Sequence, residues 1–140
     1  MTNKGVIEAK ISSIKGYIGI LEKNYKHRSQ KEIEEDLFLK TSLERHLYLL
    51  VQETIGLAEA VVAYREFRRP DSYAAAFEIL NEENVISRQL LEKMKDMVGF
   101  RNVVAHDYAK INYDIVYDVL HNKLVDVEQF ITEIKKSLNL

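Results

Sequence analysis

The stretch Tyr113–Leu138, YDIVYDVLHNKLVDVEQFITEIKKSL, shows the chain's helical periodicity most plainly. Tyr113, Tyr117, Leu120, Leu124, Val127, Ile131, Ile134 and Leu138 alternate steps of four and three residues. That spacing lines one face of an α-helix and gives a strand no consistent face. Asn112 stands where its side chain can cap the first turn. The same alternation runs through Ile7, Ile11, Ile14, Ile18, Leu21 and Tyr25, and again through Leu43, Leu47, Leu50, Thr54, Leu57 and Val61. A second line, Ile55, Ala58 and Val62, flanks the latter. This second helix is expected to start soon after Ser29 and to run to about Arg68, with Pro70 ending it. Asp71 or Ser72 can cap a short helix from Tyr73 to about Leu80. Ser87 can cap a further one striped by Leu90, Met94 and Met97. One Pro and five Gly in 140 residues leave too little punctuation for a sheet protein. The pattern predicts an all-α chain: an antiparallel up-and-down bundle of four main helices plus one short helix, forming a single domain over 1–140.

Composition narrows the function. Twenty basic residues against 22 acidic ones leave a net charge of -2. That argues against a strongly basic polyanion binder but permits a local basic site. With no Cys there is no disulfide, thiolate zinc site or cysteine nucleophile. Met1–Lys10 has no signal-peptide pattern, and no apolar run approaches a membrane span, so a cytoplasmic protein with no membrane partner is expected. The chain carries no Gly-rich phosphate loop and no HExxH pattern, and no metal or cofactor is expected. His46 and His121 are isolated. Glu34, Glu35 and Asp36 read as the exposed start of a helix. Arg65, Arg68 and Arg69 read as a solvated helix end, with a lesser reading as part of an RNA-binding surface alongside Lys93 and Lys110.

The fourth helix breaks its own pattern. Its stripe continues to Val104, but Arg101 and Tyr108 fall on the same progression, and Asn102 follows Leu91 and Val98 on a neighbouring line. An unpaired guanidinium is expensive to bury. Either Arg101 has a carboxylate partner inside, with Glu44, Glu53 and Glu59 as candidates, or this surface lines a cleft. Asn102 and His106, four residues apart, share a face. His106 follows Arg101 by five residues, about 140° around an ideal helix. That angle favours a site shared between two chains.

The string Gly99-Phe100-Arg101-Asn102-Val103-Val104-Ala105-His106-Asp107-Tyr108 resembles the signature of the HEPN superfamily: an Arg followed by a polar residue, then a His. Its extended form, with four residues between Arg and His and a Tyr two further on, is similar to the HepT-like branch (DUF86). Arg45 on the second helix, the Pro70-Asp71-Ser72-Tyr73 opening of the short helix and the closing helix after Tyr113 resemble that branch too. The likeness spans roughly residues 5–138.

The resemblance implies the toxin of a type VII-like toxin–antitoxin pair: a metal-independent endoribonuclease acting as a homodimer. Arg101 and His106 would be catalytic, and Asn102 would support them or bind substrate. A cognate minimal nucleotidyltransferase antitoxin would silence the enzyme by AMPylating Tyr108. RNA, and not DNA, would be the substrate, because its 2′-hydroxyl supplies the nucleophile. Two other readings of the same residues stay open. One is a non-catalytic HEPN subunit that binds nucleotide or substrate for a nucleotidyltransferase complex. The other is a plain helical dimer with a structural Arg–His pair.

Overall fold

The computed structural model describes residues 3–106 and 111–140, together with all their side chains except that of His106. Its helices are α1 Lys4–Asn24, α2 Gln30–Glu35, α3 Leu37–Tyr64, α4 Tyr73–Glu82, α5 Arg88–His106, α6 Tyr113–Asp118 and α7 Leu124–Leu138. A π-helical turn, Val119–Lys123, joins the last two into one rod. Among the described residues there is no strand. The rod packs on α5, α5 on α3 and α3 on α1, and α7 returns to touch α1, which makes the expected four-membered bundle; α4 lies against α3 and α5.

Local chemistry sets the ends. The Asn3 side chain accepts from the Val6 amide, Ser72 from Ala75, Ser87 from Leu90 and Asn112 from Asp114. Each satisfies an amide that the first helical turn leaves without a partner. Ser29 and Glu32 form a reciprocal capping box.

The second helix differs from expectation at both ends. It does not run unbroken from Ser29. Asp36, read from sequence as part of an exposed helix start, is extended and accepts from the Phe38 and Leu39 amides at 2.9 and 3.2 Å. Its carboxylate ends α2 and starts α3. At the other end the helix stops at Tyr64, short of Arg68, before Pro70 can act. Glu66 turns left-handed (φ 58°), and the Glu66 and Phe67 amides bond back to Ala63 and Val62. This is a Schellman closure with Glu where Gly is usual.

The closing rod also departs from a plain stripe. Val116 is fully buried, whereas Tyr117 is only half-buried and donates its hydroxyl to the Arg28 carbonyl at 2.7 Å. The wider π turn resets the phase, so that Val119, Leu120, Leu124, Val127, Ile131, Ile134 and Leu138 all reach the core.

One continuous apolar core links all the helices. At its centre α3 buries residues on nearly every side, from Leu43 to Val62. No apolar run of membrane-spanning length was expected, yet α3 meets that test by length and composition, with a mean hydropathy of 1.3 over one window. Burial inside the bundle accounts for its apolarity, since 56% of that window is covered by the rest of the chain. Phe77 of α4 meets Phe130 of α7 edge-on, with ring centres 5.4 Å apart.

Phe130→Ala is expected to cost about 3–5 kcal/mol in urea unfolding, because it empties the centre of this core. Asp36→Ala should cost about 1 kcal/mol. A loss no larger than that from Glu35→Ala would show that the cap does not hold the α2–α3 break.

Candidate functional site

The polar residues of α5 face α3 across a groove of about 390 Å³. Thr41, Glu44, Arg45 and Tyr48 form one wall, and Arg101, Val104 and Ala105 the other. Both walls follow from helical spacing. Arg101 continues the line of Leu90, Met94 and Met97, which are all buried, and emerges half-buried where α5 leaves the core. On α3, Thr41, Arg45, Tyr48 and Gln52 repeat at four, three and four residues, and so share one edge beside the buried stripe.

Arg101 has no carboxylate partner within ion-pair distance among the described residues. Its Nε donates to Gln52 Oε1 at 3.1 Å and its Nη1 to Asn102 Oδ1 at 3.2 Å. Its guanidinium carbon lies 5.5 Å from the centre of the Tyr48 ring and 5.0 Å from that of Tyr73. The expected acidic partners are engaged elsewhere or stand apart. Glu53 pairs with Lys10 at 3.7 Å, Glu59 is exposed beside Pro70–Tyr73, and Glu44 accepts from the Tyr113 hydroxyl. Of the two possibilities for Arg101, the structure has the cleft. A planar cation held by an amide and two rings keeps its charge and spare donors for an incoming anion.

Asn102 is exposed and reaches Arg101. The His106 backbone closes α5; its side chain lies outside the described residues, as does Tyr108. The structure therefore joins Arg101 and Asn102, and the rest of the motif is placed by sequence alone. Sequence reasoning missed Gln52, Tyr48 and Tyr73 as partners of Arg101. The available signal was the polar and aromatic line along α3, which the stronger apolar stripe beside it obscured.

Other singled-out groups are structural. His46 Nδ1 lies 2.9 Å from the Ser42 carbonyl and 3.0 Å from the Tyr25 hydroxyl. The His121 ring packs on Tyr117, with centroids 4.2 Å apart. Arg68 forks onto Glu82 at 2.8 and 3.3 Å, which raises the arginine's pKa and lowers the carboxyl's. Arg65 donates to the Ser137 carbonyl. Lys93 pairs with the buried Asp126. Among the described residues, no three His, Asp or Glu side chains are grouped to hold a metal ion.

Tyr113 engages Glu44, one of the residues that line the groove. Its hydroxyl donates to Glu44 and, at 3.2 Å, lies near the Lys40 carbonyl, while the Lys40 ammonium sits 5.0 Å from the ring centre. Burial first, then the bond to Glu44 and the charges of Glu44 and Glu34, hold this phenol's pKa far above the ordinary tyrosine value.

An all-α bundle with an Arg–Asn pair in a groove on its fourth main helix, and no carboxylate within ion-pair distance among the described residues, is the arrangement that the HEPN resemblance led one to expect. Comparison with known proteins makes the class specific. The family model described as ribonuclease HepT-like matches residues 14–134, and the chain belongs to that family. It is 34% identical over 130 residues to the mRNA nuclease HepT of Shewanella oneidensis, covering 93% of this chain and 96% of the relative. A solved toxin–antitoxin complex with AMP-PNP contains a chain of TM-score 0.86 and 32% identity, covering 94% of this chain and 98% of that one. The tri-AMPylated Shewanella oneidensis HEPN toxin, in complex with an MNT antitoxin, gives a TM-score of 0.85 at 34% identity, covering 94% and 97%.

The Tyr113 bond has a pH signature. The folded chain keeps a proton that the unfolded chain releases above about pH 10, so the stabilisation is complete below that value and is lost as pH rises beyond it. The urea midpoint of the wild type should fall further between about pH 9 and pH 11 than that of Tyr113→Phe. Parallel falls would remove Tyr113 as the source.

Proposed function

We propose that this chain is the toxin of a toxin–antitoxin pair, an endoribonuclease that works in the cytoplasm as a homodimer and is silenced by AMPylation of Tyr108. The observation that carries the reading is the half-buried Arg101 guanidinium, held by Gln52 and Asn102, without a described carboxylate partner and open to a groove. A merely structural arginine at such a position would be expected to find an internal carboxylate. The similarity to an mRNA nuclease and to toxins complexed with MNT antitoxins supports the rest.

The chemistry needs only these groups and the substrate. Neutral His106 takes the proton from an RNA 2′-hydroxyl. The 2′-oxygen bonds to phosphorus, the bond from phosphorus to the 5′-oxygen breaks, and that oxygen takes up a proton. The products are a 2′,3′-cyclic phosphate and a 5′-hydroxyl. Arg101 carries the charge that builds on the non-bridging oxygens, and Asn102 steadies the guanidinium. Because the nucleophile belongs to RNA, DNA is resistant, and no metal ion is required to generate it.

Arg101 and His106 stand about 140° apart on one helix. A second copy brings its own motif to the opposite side of the cleft, so the homodimer completes what one helix cannot. Silencing follows from charge. The Tyr108 phenol attacks the α-phosphorus of ATP on the nucleotidyltransferase antitoxin and pyrophosphate leaves. The resulting phosphodiester adds an anion to the same motif, seven residues on from Arg101 in sequence, and its charge and bulk compete with the RNA phosphate.

The test is RNA cleavage in EDTA by unmodified protein. His106→Ala should lower the rate by about 10²–10⁴ and Arg101→Ala by about 10²–10³, with both variants folded. Folded dimer that binds RNA or ATP but cuts none of several RNA pools would favour the non-catalytic nucleotide-binding subunit. Co-expression with the cognate nucleotidyltransferase should add whole AMP units to the wild type and none to Tyr108→Phe, read by intact mass. Modification persisting on Tyr108→Phe would move the acceptor elsewhere.

A further inference from the structure

The edge of α3 facing Arg101 is more than a wall. Phe38, Thr41, Arg45, Tyr48 and Gln52 follow one another at three, four, three and four residues, which places them on a single line along the helix. The line begins with Phe38, 88% exposed at the start of α3. It ends at Gln52, which holds Arg101. Over these fourteen steps it is about 20 Å long, at 1.5 Å per residue. That exceeds what one nucleotide occupies.

It carries two π faces, Phe38 and Tyr48, with the cation Arg45 between them and Arg101 across the groove. The Arg45 guanidinium carbon lies 5.5 Å from the Tyr48 ring centre, and Arg101 lies at the same distance from that ring. Among the described residues neither arginine has a carboxylate within ion-pair distance. The acid on this wall, Glu44, takes the Tyr113 hydroxyl, and Lys40 sits over the Tyr113 ring. Aromatic rings that stack bases, interleaved with cations that follow the phosphates, are what single-stranded nucleic acid requires of a protein surface. An exposed Phe has no role in the bundle's own core.

Building on the nuclease reading above, we propose that this α3 line is a binding track for single-stranded RNA beside the cleavage point. Tyr48 stacks the base adjoining the phosphate held by Arg101, in the place over its ring that the Arg45 guanidinium takes in the free protein. Arg45 takes the next phosphate, and Phe38 stacks a further base. The enzyme thereby selects unpaired RNA, because a duplex keeps its base faces covered.

The test is fluorescence anisotropy with a labelled single-stranded 2′-O-methyl RNA, which has no free 2′-hydroxyl to attack, using the unmodified homodimer over a salt series. Arg45→Ala should weaken binding and reduce the log–log salt slope by about 0.7, the loss of one phosphate contact. Tyr48→Leu should weaken binding roughly tenfold with the slope unchanged, and Tyr48→Phe should restore it, since the ring and not the hydroxyl stacks. Phe38→Ala should matter only for oligonucleotides long enough to reach it. Thermal melts confirm folding; Arg45 is exposed, so its variant carries the test if Tyr48→Leu fails to fold.

Wild-type affinity and salt slope in Arg45→Ala would overturn the track. So would a preference for duplex RNA, or dimer loss with intact RNA binding in Phe38→Ala, which would give this edge to a protein contact. Cleavage of an unmethylated RNA is scored separately. Binding through Arg45 and Tyr48 without cleavage sinks the nuclease reading alone, and cleavage and binding indifferent to both residues sink the track alone.

Discussion

The site depends on the hydrogen bond from Arg101 to Gln52. A guanidinium emerging from an apolar stripe must be held by something, and the choice of partner decides what it can do. A carboxylate would neutralise it and leave a structural ion pair. An amide oxygen and two aromatic rings hold it in place, and no carboxylate among the described residues lies within ion-pair distance to compensate its charge. The groove between α3 and α5 therefore keeps a positive wall although the whole chain carries a net charge of -2. Local placement, and not bulk charge, sets the electrostatics of this groove.

That placement requires α3 to do two jobs. Its stripes from Leu43 to Val62 form the centre of the core, and its remaining edge carries Arg45, Tyr48 and Gln52. The Asp36 cap and the left-handed Glu66 closure fix where the helix begins and ends. Tyr113 then anchors the closing rod to the same helix through Glu44. Core packing and the polar groove are thus two faces of one element, so a shift of α3 large enough to loosen the core would also move the Arg101 support.

The all-α class, the four-membered bundle and most caps were legible from residue spacing, because apolar periodicity reports directly which face a helix buries. The Arg101 anomaly was legible for the same reason: a charged residue in an apolar stripe is visible without a structure. Its partner was not. Glu44, Glu53 and Glu59 lay on the right helix and carried the right charge, yet spacing alone could not place Gln52 opposite Arg101 or send Glu44 to Tyr113. The break at Asp36 was misread because a carboxylate among acidic residues looks like solvated surface until its geometry shows it bonding two amides.

Residue spacing alone was enough for the main helices, their buried stripes and the motif that marks the family, because these are local or periodic properties of one chain segment. It took the packed helices to show that Arg101 meets an amide and two rings, with no acid within ion-pair distance among the described residues, and that a π turn resets the last helix so that both its halves face the core. The physical reason is that these depend on the rotation of one helix about its axis against another. Side chains many residues apart become neighbours only through that rotation, which helical spacing within a single segment does not encode.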